Sequence, residues 1–136
     1  MKGEYVLSAF ILKKEDSALS TLREDVQFVI NAALAETQPR KALRNALGRL
    51  PIYGGRLRVL AIGKAAWSMA ETAAETLHSR IDYGLVITKY GHSQGAIPGF
   101  QIMEAGHPVP DENSVRAADA AIAMVQGLGV EDTVLT

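Results

Sequence analysis

The stretch Leu57-Arg58-Val59-Leu60-Ala61-Ile62-Gly63-Lys64-Ala65-Ala66 decides how the chain is read. Six residues, apolar except for Arg58, close on a glycine, which is the pattern of a strand buried in a sheet. Ala66, Met69, Ala70, Ala73 and Leu77 then recur at helical spacing, so Lys64–Arg80 is predicted as a helix with an alanine-rich face suited to close packing. Leu85-Val86-Ile87-Thr88 gives a second strand, followed by a loop marked by Gly91, Gly95, Pro98 and Gly99. Phe100–Glu104 reads as a third strand. His107-Pro108-Val109-Pro110 is extended, because a residue before proline is pushed out of the α region. Asp111 then caps a helix striped by Val115, Ala118, Ile122 and Val125 and ended by Gly127 or Gly129. Thr133 begins a fourth strand. Short strands alternating with helices give an α/β fold: a mostly parallel, Rossmann-like sheet with helices on both faces.

Upstream, Leu22, Val26, Val29, Ile30, Ala33 and Leu34 fall on one helical face, with Ser20 or Thr21 as the N-cap. Pro39 interrupts this helical segment. Thr37 is placed to cap a second helix whose face is Ala42, Leu43, Ala46 and Leu47. Residues 1–20 read as an arm of unknown role, with Tyr5–Leu12 a local strand or a loosely docked segment. One lysine before that stretch and no small-residue cleavage site after it weigh against a secretory signal.

The 136 residues carry 14 Lys+Arg against 15 Asp+Glu, a net charge of -1, so a general polyanion binder with a basic face is excluded and no nucleic-acid partner is expected. Apolar residues at 48% and charged residues at 21% are globular composition. The absence of cysteine removes disulfides, zinc–thiolate sites and thiol nucleophiles, and makes a reducing cytoplasm the simple expectation. No apolar run approaches the ~20 residues of a membrane helix, so no membrane partner is expected.

Ligands of open α/β sheets bind beyond the carboxyl ends of the strands. The turns there are Gly63-Lys64, Lys89 to Ser93, and Glu104 to His107. A glycine after a strand permits a tight turn, and a helix N-terminus presents free N–H groups to an anion. Lys64 in a first helical turn opposes that helix's own dipole, which makes sense if it meets a phosphate or carboxylate. The alternative is a solvated lysine on a turn. Neither a Walker A loop nor a dinucleotide fingerprint is present, since the further glycines and the Ser/Thr are missing. Lys89 offers a second cation on the same edge, or a lysine in water. His92 and His107 lie in loops there, but with His78 they are too far apart in sequence for metal-ligand spacing. Asp111 reads as a helix cap before it reads as a catalytic acid, and Glu104 and Glu112 read as surface carboxylates. Trp67 and the methionines read as core.

Three ordered blocks, Val59 to Ala66, Val86 to His92 and Glu104 to Asp111, closely resemble the N-terminal part of the type II glycerate kinase family, whose members are often labelled hydroxypyruvate reductase. The likeness runs from about Thr21 to Thr136; Met1–Ser20 has no counterpart. The resemblance implies ATP-dependent phosphorylation of D-glycerate to 2-phosphoglycerate with Mg²⁺, in a two-domain α/β protein with its site in the cleft. It implies Lys64 as the catalytic lysine, and Gly63, Lys89, His92 and His107 as residues facing substrate or phosphate. It also implies a Gly-rich loop after the strand at Thr133 and a later domain with an essential arginine. The chain is accordingly expected to be an N-terminal piece, inactive by itself. An NAD(P)H-dependent hydroxypyruvate reductase and a non-catalytic module, dimerising to hide open strand edges, are the alternatives. The reductase ranks lower because the turn at Gly63 lacks the dinucleotide glycines.

Overall fold

The computed structural model describes residues 3–51 and 54–136, with side chains described from residue 19 onward. The chain divides into two compact units, Met1–Gln38 and Pro39–Thr136. The first is built on one helix, α1 (Gly3–Glu36). This departs from the expected start at Ser20 or Thr21 and from a strand or arm at Tyr5–Leu12. From Glu4 to Gln38 there is neither glycine nor proline, and the sequence is rich in residues that hold helical torsions at little cost, so nothing stops the helix. Leu22, Val26, Val29, Ile30 and Leu34 are exposed on it. Thr37 closes α1 instead of opening the next helix: its hydroxyl donates to the Leu34 carbonyl at 3.0 Å.

The second unit holds α2 (Pro39–Leu47), β1 (Leu57–Ile62), α3 (Ala66–Leu77) with a 3₁₀ turn at His78–Arg80, β2 (Ile81–Lys89), β3 (Phe100–Ala105), α4 (Glu112–Val125) and β4 (Thr133–Leu135). Its four strands form one parallel sheet in the order β3-β2-β1-β4. Strand residues alternate between two faces. Ala61, Val86 and Ile102 point to α3, where Ala66, Trp67, Ala70 and Ile97 complete a core with them. Further along the same face, Val59 meets Ala73 of α3 and Leu47 of α2, with Leu43, Leu77 and Leu135 packed around. Arg40 pairs with Glu71 and Arg44 with Glu75, which ties α2 to α3.

Helix α4 covers the opposite face and buries Ala117 and Met124. The expected stripe is therefore on the wrong side: Val115, Ile122 and Val125 are exposed. Small Ala117 lets the helix axis approach the sheet, and the larger aliphatics turn outward. The second strand is longer than the apolar run suggests. Gly84 pairs with Phe100, whose ring lies where a Cβ would be; an added Cβ would sit 2.1 Å from it. A residue that reads as a strand breaker is what lets the ring cross the middle of the sheet.

Candidate functional site

The chain leaves β1 through α3 to β2 on one side, and returns from β3 through α4 to β4 on the other. The order reverses between β1 and β4, and a crevice opens at such a switch point beyond the carboxyl ends. Gly63 and Lys64 stand there. Gly63 has φ +116, a torsion that L side chains rarely adopt, and its N–H donates to the Ile87 carbonyl at 2.9 Å. Lys64 lies just before α3 and not inside it, because the helix begins at Ala66 with Ala65 as its N-cap residue. No side chain caps that N-terminus. The Ala66 N–H donates to the Gly63 carbonyl at 3.2 Å, which leaves the N–H groups of Trp67 and Ser68 to solvent or to a ligand. Lys64 therefore sits beside the positive end of the helix and not within its first turn.

Two recesses meet at Lys64. One, about 690 Å³, lies between the sheet edge and α4 and is lined by Gly63, Lys64, Lys89, Gly106 and His107 among others. The other, about 240 Å³, is lined by Lys64, Trp67, Ser68, Gly91, His92 and Gln94. The five residues singled out from the sequence are thus brought to one edge, His92 on one side of Lys64 and His107 on the other. Among the described residues neither Lys64 nor Lys89 forms an ion pair.

The acidic groups of this edge are engaged. Asp111 caps α4 through a capping box with Ser114, as expected of it. It does more than cap. Its carboxylate also takes the Tyr90 hydroxyl at 2.6 Å and the Gly106 N–H at 3.2 Å. The Tyr90 hydrogen bond, then the N–H of Gly106, pull its pKa down to about 2. The same bond to Asp111 raises the Tyr90 pKa. Asn113 completes the group by donating to the Tyr90 oxygen at 2.8 Å. Glu104 is not a plain surface carboxylate: it accepts the Ser93 N–H at 2.9 Å, and that bond leads in lowering its pKa. Trp67 is buried core as expected, yet its indole N–H also donates to the Gly95 carbonyl at 2.8 Å. Tyr90, Asn113 and the second role of Trp67 carry no signal in the sequence, since their partners are set by loop geometry.

A phosphate or carboxylate suits this edge: two cations without ion pairs, an uncapped helix start and two imidazoles surround it. Among the described residues no group of three or more His, Asp or Glu is placed to hold a metal ion. Nor is any helix among them long and apolar enough to cross a membrane.

Residues 25–136 match the family described as "Domain of unknown function (DUF4147)". The chain is 42% identical over 107 residues to the D-glycerate 2-kinase of Thermotoga maritima, covering 79% of this chain and 25% of that protein. It is 40% identical over 116 residues to an Agrobacterium vitis protein carrying a hydroxypyruvate reductase label, covering 83% of this chain and 25% of that one. The crystal structure of the Thermotoga maritima glycerate kinase superposes with a TM-score of 0.72 at 42% identity, over 76% of this chain and 25% of the other. That of a Pyrococcus horikoshii protein gives 0.70 at 30% identity, over 83% and 28%. The chain thus spans about a quarter of the length of the relatives it matches.

Proposed function

The chain belongs to the DUF4147 family, in which it matches the N-terminal portion of type II glycerate kinases, and from that premise we propose that it supplies one wall of the active site of a D-glycerate 2-kinase. The reaction is transfer of the terminal phosphoryl group of ATP to the 2-hydroxyl of D-glycerate. Such transfer is mostly positioning and stabilisation of charge on the phosphoryl oxygens. Lys64, at the switch point beside an uncapped helix start, holds a phosphate or the glycerate carboxylate. Lys89 supplies the second positive charge. His107 and His92 line the two recesses as hydrogen-bonding groups, and Gly63 provides the turn that aims Lys64. The observation that carries this is the convergence of Lys64, Lys89 and His107 on one recess, with no ion pair to either lysine among the described residues.

ATP fits this wall through its phosphates. Among the described residues no group of three or more His, Asp or Glu is placed to hold a metal ion, and no step here is assigned to Mg²⁺. Lys64 and His107 are exposed, and the wall leaves the reacting groups open to water. Turnover is therefore expected of a protein that covers this edge and not of these 136 residues alone. The reductase reading is weaker, because the turn Gly63-Lys64-Ala65-Ala66 has one glycine where a dinucleotide turn has three.

Titration of the ¹⁵N-labelled chain with 2-phosphoglycerate, ATP and NADH tests this. The phosphate ligands should shift the amides of Gly63, Lys64, Lys89 and Gly106, and Lys64→Met should weaken binding by about tenfold or more. Shifts with NADH alone, or binding indifferent to Lys64→Met, would overturn the proposal.

A further inference from the structure

The Gly91–Gly99 loop carries His92 and contains three glycines, so little in its own sequence fixes it. Two side chains from outside the loop do. Trp67 of α3 donates its indole N–H to the Gly95 carbonyl at 2.8 Å, and Glu104 of β3 accepts the Ser93 N–H at 2.9 Å. A turn closes the near side, with the His92 N–H donating to the Lys89 carbonyl at 3.1 Å. Resting on the reading of this edge as the ligand site, we propose that Glu104 is a positioning residue: through the Ser93 N–H its carboxylate fixes the Gly91-His92-Ser93 turn and so holds His92 against the recess it shares with Lys64.

Three features support this. Glu104 does not line the recess of Lys64 and His92, so it acts through the backbone and not on a ligand. It is half-buried at the end of β3, paired in register with Thr88, the residue before Lys89. Rigid strands thus set its position on the α3 face of the sheet, the face of Val86 and Ile102 and opposite that of Lys89. An ionised carboxylate accepting a backbone N–H makes a charge-assisted bond stronger than a neutral one. The bond from the Ser93 N–H leads in lowering its pKa, which keeps the carboxylate in the charged form that accepts it.

The test compares Glu104→Ala and Glu104→Gln with the unaltered 136-residue chain. In Glu104→Ala the Ser93 amide should exchange with solvent about tenfold faster, and the His92 imidazole resonances should move toward those of a free histidine. Exchange at Gly129 and Asp132, at the far end of the sheet, should not change. Glu104→Gln keeps a neutral acceptor in the same place and should restore part of the protection. Binding of 2-phosphoglycerate, followed at Gly63 and Lys64, should weaken about threefold in the alanine variant and recover in the glutamine variant. Unchanged Ser93 exchange and unchanged His92 resonances in Glu104→Ala would overturn the inference. So would a loosened turn with undiminished binding. If the unaltered chain binds no 2-phosphoglycerate, the kinase reading fails, while Ser93 and His92 still decide the anchoring.

Discussion

At the amino end of the sheet, charge is spent inside the protein. Asp132 takes the backbone N–H of Arg56 at 2.7 Å, its guanidinium at 2.7 Å and the N–H of Gly129 at 2.8 Å. Arg56 also reaches the Gly127 carbonyl, so the start of β1 is locked to the turn that leads into β4. Next to it Arg58 faces Asp82 at 3.0 Å, donates to the Met124 carbonyl and lies 5.5 Å from the Tyr83 ring. At the carboxyl end the acids are also spent, on backbone N–H groups and a tyrosine, but the lysines are not. One end closes the fold with matched pairs. The other uses its acids to shape loops and leaves positive charge facing outward. A surplus of one sign at one end, in a chain of net charge -1, is how a single edge attracts an anion without a basic surface.

The contrast is breakable by substitution. The largest effect is expected from Lys64→Met in a complete kinase carrying this segment: a loss of about two orders of magnitude in kcat, with the melting temperature of the 136-residue chain unchanged. Comparable turnover would mean that the unpaired charge at this edge is idle. Gly63→Ala should cost about 1–3 kcal/mol of stability by forcing a side chain into φ +116, and should also weaken phosphate binding. It tests whether shape and charge at this edge are separable. His78→Gly works away from the carboxyl edge, at the end of α3. His78 holds φ 45 and ψ -127, which glycine adopts freely, so the variant should gain about 1 kcal/mol in denaturant unfolding and leave phosphate binding alone.

The smallest effect is graded with acid. Asp111, Glu104 and Asp132 all have pKa values below their ordinary ones in the folded chain. Their stabilisation is complete above the unfolded values of 3.8 to 4.5 and is lost as pH falls through the folded ones. Asp111 should protonate near pH 2, and Asp132, held chiefly by the Arg56 side chain, lower still. Amides of Gly106 and Ser114 should therefore change before those of Gly129 and Arg56 in an acid titration followed by NMR. The reverse order would refute the ranking of the two ends.

Much of this was legible in the residues. β1 matches its apolar run from Leu57 to Ile62, because a strand paired on both sides leaves a hydrophobic signature, broken here only by Arg58, that closes on glycine. The edge carrying Lys64, Lys89, His92 and His107 was legible for a topological reason: in a parallel sheet every turn after a strand lies at the same end. The face of α4 was not, since large aliphatics mark a stripe in sequence whereas close approach to a sheet favours alanine, here Ala117. The task of Glu104 and the second one of Asp111 were hidden because their partners, the N–H groups of Ser93 and Gly106 and the Tyr90 hydroxyl, are brought to them by loop geometry. The 34-residue α1 runs straight through Ser20 and Thr21, residues of cap type, because no glycine or proline from Glu4 to Gln38 stops it.

The turn at Gly63 selects by handedness and not by size. An added Cβ there would touch nothing within 4 Å, so volume is no obstacle. The torsion, however, belongs to the half of conformational space that suits mirror-image residues. Every genetically encoded replacement is of the wrong hand, whatever its bulk. A D-alanine introduced by chemical synthesis should seat at position 63 without strain and narrow the unfolded chain's freedom, making the turn that aims Lys64 stiffer than glycine can.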